Sequence, residues 1–262
     1  MMPTLSTSEF EQLLIRCASL PDVRREVIRN HDDNIWWPRR ITDWRLRMLI
    51  AGLTTRVSYA MVTTYQEVVQ RLNEIGYDHL STYKTDELSK LVSPLGLKSN
   101  RVHYCESMFE FIKDLQRRDT HPASLSNDEL IGSIAERVFG ASYKVGQCCT
   151  LNAKGYYCGI IPVDSGMKDK LSICLGMDVV KTAYGHELMR KQLESYVAEI
   201  DCRKIAIRTG YEGLSFPTEG PLSWWSHLVL IYYKRLYCNR PAARCPLIMG
   251  QESRDCALHK SN

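Results

Sequence analysis

The stretch VFGASYKV, residues 138–145, followed later by IPVD, residues 161–164, decides the fold predicted for this chain. Residues 138–142 place a glycine between two segments of helical periodicity, which predicts a short hairpin joining two helices. Gly140 lets the backbone come close to a ligand because it has no side chain, and the N–H groups that begin the second helix favour an anion such as phosphate. Lys144 lies in the first turn of that helix. A packed helix pair without any ligand is the commoner structure for such a hairpin, so the spacing to the second motif matters.

Helical periodicity extends along most of the chain and predicts an all-α protein. The predicted helices cover residues 7–17, 42–51, 59–75, 85–93, 99–117, 126–139, 142–152, 165–176, 183–199 and 221–237. Thr85 is the expected N-cap of one helix, and Ser126 with Glu129 forms a capping box for another. A loop is expected to follow the first helix and to run through residues 31–34, and the best candidate for a short strand is 204–208.

Composition restricts the class of protein without deciding its function. The 262 residues are 44% hydrophobic and 24% charged, as in an ordinary globular protein. The formal net charge is +4, so any attraction for nucleic acid has to come from a local surface. The sequence has neither the long apolar run of a membrane helix nor the N-terminal pattern of a signal peptide. We therefore expect an intracellular protein in which most of the ten cysteines are small buried residues.

In their order and spacing these motifs resemble the endonuclease III and 8-oxoguanine DNA glycosylase superfamily. Its signature is a hydrophobic-Pro-Gly-x-Gly hairpin, then x-Lys, an apolar helix, and a Val-Asp about one helix and one loop later. Residues 138–145 match the hairpin and lysine, 148–151 the apolar helix, and 162–164 the aspartate segment. Phe139 replaces the usual proline and Ser142 replaces the second glycine, and both departures weaken the hairpin as a phosphate site.

Three further stretches agree with the same superfamily. Residues 44–51 resemble its first barrel helix, 93–101 its Leu-Gly-Leu turn and the helix beyond, and 224–238 the helix that leads to its cysteine loop. The resemblance covers roughly residues 35–246. It implies the two-lobed helix–hairpin–helix DNA glycosylase fold, with a barrel lobe at 43–153 and a second lobe made of 1–42 and 154–262.

The resemblance implies base excision on double-stranded DNA with AP-lyase activity. An enzyme of this kind rotates the target base out of the duplex into a pocket. The amine of Lys144 would attack C1′ of the sugar, displace the base and form a Schiff base. Asp164 would stabilise the cationic sugar and help to deprotonate the lysine. We expect a monomer, with the DNA in a cleft between the lobes and Asp164 at the mouth of that cleft.

Other residues receive roles from the same resemblance. Arg56 falls where relatives place the side chain that fills the gap left by the flipped base. The residues expected at the DNA backbone are those of the hairpin and the start of its second helix: Gly140, Ala141, Ser142 and Tyr143. Tyr143 and Gln147 flank the lysine and are candidates for lining the base pocket, with plain packing as the alternative.

Alternatives remain open at this point. Lysine at a helix start is usually a solvated residue, aspartate before Ser-Gly is usually a helix cap, and Arg56 has an ordinary reading as a surface arginine. A monofunctional glycosylase acting on a modified base would use water and only release the base. A catalytically silent DNA-binding module is the alternative from outside enzymes.

The C-terminal cysteines depart from the superfamily pattern. Relatives often end with Cys-x6-Cys-x2-Cys-x5-Cys, which holds a [4Fe–4S] cluster. Cys238 and Cys245 have the first spacing, but Ile248 occupies the third position, and only Cys256 remains, with His259 three residues later. We expect a degenerate loop and no cofactor, with zinc bound by the three cysteines and the histidine as the alternative.

Overall fold

The computed structural model describes residues 5–34, 36, 40–238 and 245–246, and within these residues it contains helices and no β-strand. The helices, in chain order, are α1 Thr7–Ser19, α2 Pro21–His31, α3 Trp44–Leu53, α4 Val62–Ile75, α5 Tyr77–Leu80, α6 Thr85–Val92, α7 Lys98–Arg117, α8 Asn127–Arg137, α9 Tyr143–Lys154, α10 Ser172–Cys174, α11 Gly185–Glu199, α12 Cys202–Arg208 and α13 Ser223–Tyr233. Short 3-10 turns occur at Tyr59–Met61, Ser93–Leu95 and Pro122–Ser124. Wider π-helical turns occur at Met167–Leu171 and Lys234–Cys238. The predicted all-α class is confirmed.

The described residues form two compact units. One is made of residues from 1–32 and 159–262, and the other of residues from 33–158. Within the second unit, α9 packs against α3 and α8, and its inward residues join one continuous hydrophobic core. Within the first unit, the apolar helix α13 is buried along its whole length and packs against α1, α2 and α11. Both units therefore have a core of their own, as independently packed units require.

Local signals explain where several helices begin. The Ser126 hydroxyl accepts from the Glu129 N–H at 3.2 Å, and the Glu129 carboxylate accepts from the Ser126 N–H at 2.8 Å, which confirms the predicted capping box. The helix expected to begin after an N-cap at Thr85 instead has Lys84 at that position, because the Glu87 carboxylate accepts from the Lys84 N–H at 2.8 Å. The boundary is thus one residue earlier than predicted.

Two other expectations are corrected. The strand candidate at 204–208 lies inside α12, because Asp201 caps the Lys204 N–H at 2.9 Å and the helix buries its apolar face. Most of the loop expected between residues 17 and 34 instead forms α2, which begins at Pro21, a residue whose fixed φ suits the first helical turn. In the described part of the chain, no helix has both the length and the hydropathy to cross a membrane.

Candidate active site and DNA-binding hairpin

The predicted hairpin is present between α8 and α9. The Ala141 N–H donates to the carbonyl of Val138 at 3.1 Å and closes the turn. Gly140 has a φ of +69°, and a Cβ added to it would meet nothing within 4 Å, so the glycine is required by backbone conformation and faces open space. Ser142 is the N-cap of α9, but its side chain makes no capping hydrogen bond. The start of α9 therefore presents backbone N–H groups without a side-chain acceptor from Ser142.

Phe139, which stands where the motif that the sequence resembles has proline, has a structural role that proline could not supply. Its N–H donates to the Ser107 hydroxyl at 2.9 Å, and that hydroxyl donates to the carbonyl of Arg137 at 3.3 Å. The Phe139 ring meets the His103 ring edge-on at 5.3 Å and remains 49% exposed. Phe139 therefore lacks the rigidity of proline but connects the hairpin to α7 through its hydrogen bond with Ser107.

A depression of about 270 Å³ lies beside the hairpin in the same unit. Its lining brings together two residues predicted to contact DNA, Arg56 and Gly140, with Leu97 and Phe139. Arg56 is exposed and has a φ of +57°, and Leu97 has a φ of +47° and is 45% exposed. Non-glycine residues adopt positive φ at a cost, and such residues concentrate at functional sites. A basic and two apolar side chains are thus presented next to an open backbone turn.

Arg101 holds two of these turns together, a role that sequence reasoning missed. Its guanidinium is buried and donates to the carbonyls of Leu53 at 2.7 Å and Thr55 at 2.9 Å, at the end of α3. It also donates to the carbonyls of Leu95 at 3.1 Å and Gly96 at 2.8 Å, in the turn before α7. One side chain therefore fixes the segment that carries Arg56 to the segment that carries Leu97. The only sequence signal is an arginine at the fourth position of the helix that follows a Leu-Gly-Leu turn.

The remaining predicted residues of this unit lie on α9. Lys144 is half-buried in the first turn of the helix, as is Tyr143, whereas Gln147 is fully buried. The close approach of α9 to α8 depends on Gly146, because a Cβ there would lie 2.7 Å from the carbonyl oxygen of Ile131. The first turn of α9 is therefore firmly packed against α8, and Lys144 lies in that turn, next to the hairpin.

Asp164, in the other unit, is bound at both carboxylate oxygens. Oδ1 accepts from the Met167 N–H at 2.6 Å, so Asp164 caps the helical run that follows it. Oδ2 accepts from the amine of Lys234 at 2.9 Å. The Lys234 side chain is 7% exposed and that of Asp164 is 26% exposed. Gly166 leaves room for this amine, since a Cβ there would lie 2.5 Å from Lys234 Nζ.

Electrostatics keep the Asp164 carboxylate ionised. Burial by itself raises its pKa, but the charge and hydrogen bond of Lys234 and the bond from the Met167 N–H outweigh burial and hold the pKa below its ordinary value. Nearby His227 has its pKa lowered to about 3, first by burial and then by the charge of Arg235. The site is thus an ionised aspartate beside a neutral histidine. Lys234 was not predicted, although a lysine directly after a fully buried helix is an unusual residue to find in an apolar run.

The cysteine loop gives no metal site among the residues that can be described. The thiol of Cys238 contacts Cys174, and Cys245 Sγ lies 3.1 Å from the hydroxyl of Tyr233. In the described part of the chain no three His, Cys, Asp or Glu residues are arranged to hold a metal ion. Cys256 and His259 lie outside the described residues. Two of the four candidate ligands thus lie outside the described residues, and the expectation of a loop without a cofactor stays a prediction.

Comparison with known proteins gives one solved structure that is similar over most of the chain. It is the crystal structure of the H. pylori 3-methyladenine DNA glycosylase MagIII bound to 1,N6-ethenoadenine, with a TM-score of 0.53 and 14% sequence identity. The match covers 88% of this chain and 98% of that one. No protein-family model matches the sequence, and no curated protein sequence matches it either. At this identity the likeness establishes the fold, and the predicted helix–hairpin–helix DNA glycosylase fold is confirmed.

Proposed function

We propose that this protein is a DNA glycosylase that excises a modified or damaged base from duplex DNA. The observation that carries the proposal is the Asp164 carboxylate, which is ionised, caps a helix and belongs to a glycosylase fold. Breaking a glycosidic bond develops positive charge on the sugar, and a fixed carboxylate stabilises that charge in the transition state. The similar structure contains a modified adenine, which supports a modified base as the substrate.

The hairpin and the neighbouring depression supply the DNA-binding surface in this proposal. The open turn at Gly140 and the start of α9 suit a phosphate group. Arg56, which lines the depression next to the hairpin, enters the space that the flipped base leaves. Ala141, Ser142 and Tyr143 complete the backbone contact. Gln147 is fully buried within α9, so its proposed role is packing of the helix that carries Lys144.

The proposal has two catalytic forms. In the bifunctional form, Lys144 Nζ forms a bond to C1′ while the glycosidic bond breaks and its electron pair leaves with the base. The departing base takes a proton from Nζ, and the sugar ring then opens by cleavage of the C1′–O4′ bond, with O4′ taking up a proton from solvent. The Schiff base formed in this way permits elimination of the 3′ phosphate. This form is supported by the position of Lys144, half-buried in the first turn after the hairpin.

The monofunctional form uses water in place of the amine and stops after base release. It is favoured by the Lys234–Asp164 pair. A carboxylate whose pKa is held low is a weak proton acceptor. The same carboxylate remains a strong stabiliser of positive charge, so Asp164 is better suited to that role than to deprotonating Lys144.

Borohydride trapping on a lesion-bearing duplex separates the two forms. If Lys144 is the nucleophile, wild-type protein and the Lys234→Met variant become covalently linked to DNA, and Lys144→Gln does not. Base release by wild type without any covalent product establishes the monofunctional form. Trapping that survives in Lys144→Gln and disappears in Lys234→Met would identify the nucleophile as the Lys234 amine, which pairs with Asp164.

A further inference from the structure

The segment that leads into Asp164 is buried without belonging to a helix or a strand. Ile160, Ile161 and Val163 are 0% exposed, and no regular element pairs with them. Buried backbone N–H and C=O groups have to find hydrogen-bond partners, because leaving them unpaired is costly. Pro162 removes one donor from this stretch. The remaining backbone groups therefore depend on side chains from other elements.

Three side chains supply those partners: the buried His186 and His227 and the partly buried Glu194. The Glu194 carboxylate accepts from the Ile161 N–H at 3.0 Å. His186 Nδ1 lies 2.8 Å from the carbonyl of Val163, and His227 bonds to the backbone of Pro162. Glu194 and His186 both belong to α11, two turns apart, and His227 belongs to α13. Two helices thus hold consecutive residues of the segment, ending one residue before Asp164.

Glu194 is the carboxylate among these three side chains, and burial destabilises its charged form. Burial raises its pKa, which reflects the penalty for placing a carboxylate away from water. Arg190 offsets that penalty, because its guanidinium pairs with Glu194 on one side and with Glu187 on the other. An apolar residue at 194 would avoid the penalty but would leave the Ile161 N–H without its acceptor.

We propose that Glu194 is a positioning residue for Asp164, acting through the Ile161 N–H. The inference rests on the proposed base-excision function. In the proposed reaction the Asp164 carboxylate has to contact the sugar and Lys234 at the same time. Small displacements of a catalytic group lower the reaction rate strongly. The charge of Arg190 opposes the effect of burial on the Glu194 pKa, and its guanidinium holds the carboxylate beside the segment. His186 contacts the carbonyl of Val163.

The first test compares three variants in single-turnover base excision. Glu194→Met removes the acceptor and should lower the excision rate by about 10- to 100-fold, with duplex affinity within about two-fold of wild type. Glu194→Gln keeps an amide oxygen for the Ile161 N–H and should recover most of the rate. Glu187→Met is the matched control, since it also removes a carboxylate from Arg190, and it should keep the wild-type rate. Equal rates for Glu194→Met and Glu187→Met would overturn the proposal.

A second readout does not require excision. If Glu194 positions Asp164, the Lys234–Asp164 pair loosens in Glu194→Met, and acetylation of Lys234 by acetic anhydride, followed by mass spectrometry, becomes several-fold faster. The rate should stay at the wild-type value in Glu194→Gln and Glu187→Met. An unchanged rate in Glu194→Met would contradict the positioning role. If wild type excises no base but the labelling follows this pattern, the proposed function fails and the positioning of Asp164 by Glu194 stands.

Discussion

At the scale of single residues, the Lys234–Asp164 pair governs the charge of the proposed catalytic group. The aspartate was identifiable in the sequence from its place in the IPVD motif. The lysine was not, because it lies 70 residues later and only the packing of α13 brings it back to Asp164. A pair with such a sequence separation leaves no local pattern.

Replacing Lys234 by Met should shift the pH dependence of base excision. Without the amine, the effect of burial on the Asp164 carboxyl is opposed by less positive charge, so the pKa of Asp164 rises. The acid limb of the single-turnover rate should therefore move to higher pH. A carboxylate with a lowered pKa contributes stability above its ordinary pKa and loses it as pH falls through the lowered value. Lys234→Met should thus be less stable at neutral pH by urea unfolding.

The control for that experiment is Lys113→Met, which removes a 64% exposed lysine on α7. Its pH profile and its unfolding curve should match wild type. An acid limb that stays in place in Lys234→Met would mean that the pair does not set the ionisation of Asp164.

At the scale of elements, the hairpin depends on a left-handed turn. Gly140→Ala should cost about 1 to 2 kcal/mol in the free energy of unfolding, because alanine at a φ of +69° is strained. It should also weaken binding to duplex DNA, since a methyl group would project toward the phosphate. Urea unfolding and fluorescence anisotropy measure the two effects separately.

Gly132 provides the matched control for the hairpin. It lies inside α8, its φ is not positive, and a Cβ there meets nothing within 4 Å. Gly132→Ala should therefore stabilise the protein by about 0.5 to 1 kcal/mol and leave DNA affinity unchanged. Equal effects of the two substitutions would remove the hairpin from the DNA-binding surface.

Most helices could be predicted from the sequence because their signals are local. Ser126 and Glu129 form the capping box that their spacing implies. The strand expected at 204–208 missed a local signal, since Asp201 caps the Lys204 N–H and begins a helix there. Other features depend on tertiary contacts that spacing cannot report. Arg101 ties two turns that lie more than 40 residues apart. The depression beside the hairpin was unpredictable for the same reason.

At the scale of the whole molecule, the modest net charge of +4 means that the proposed DNA binding has to depend on a local surface. Affinity for duplex DNA should fall as salt rises, with a slope of roughly one unit of log affinity per unit of log salt for each phosphate contacted. Arg56→Gln should reduce that slope by about one if the side chain lies near phosphate. Anisotropy titrations over a salt series measure both. An affinity that does not respond to salt would argue against a backbone-led DNA site.

The central claim is that the protein excises a base with the help of the Asp164 carboxylate. The direct measurement is single-turnover release from a panel of duplexes, each with one modified or damaged base, by wild type and Asp164→Asn. We expect wild type to release at least one base, and Asp164→Asn to be slower by about 100- to 1,000-fold with unchanged duplex affinity. Failure of wild type to release any base, or equal rates for the two proteins, would contradict the account.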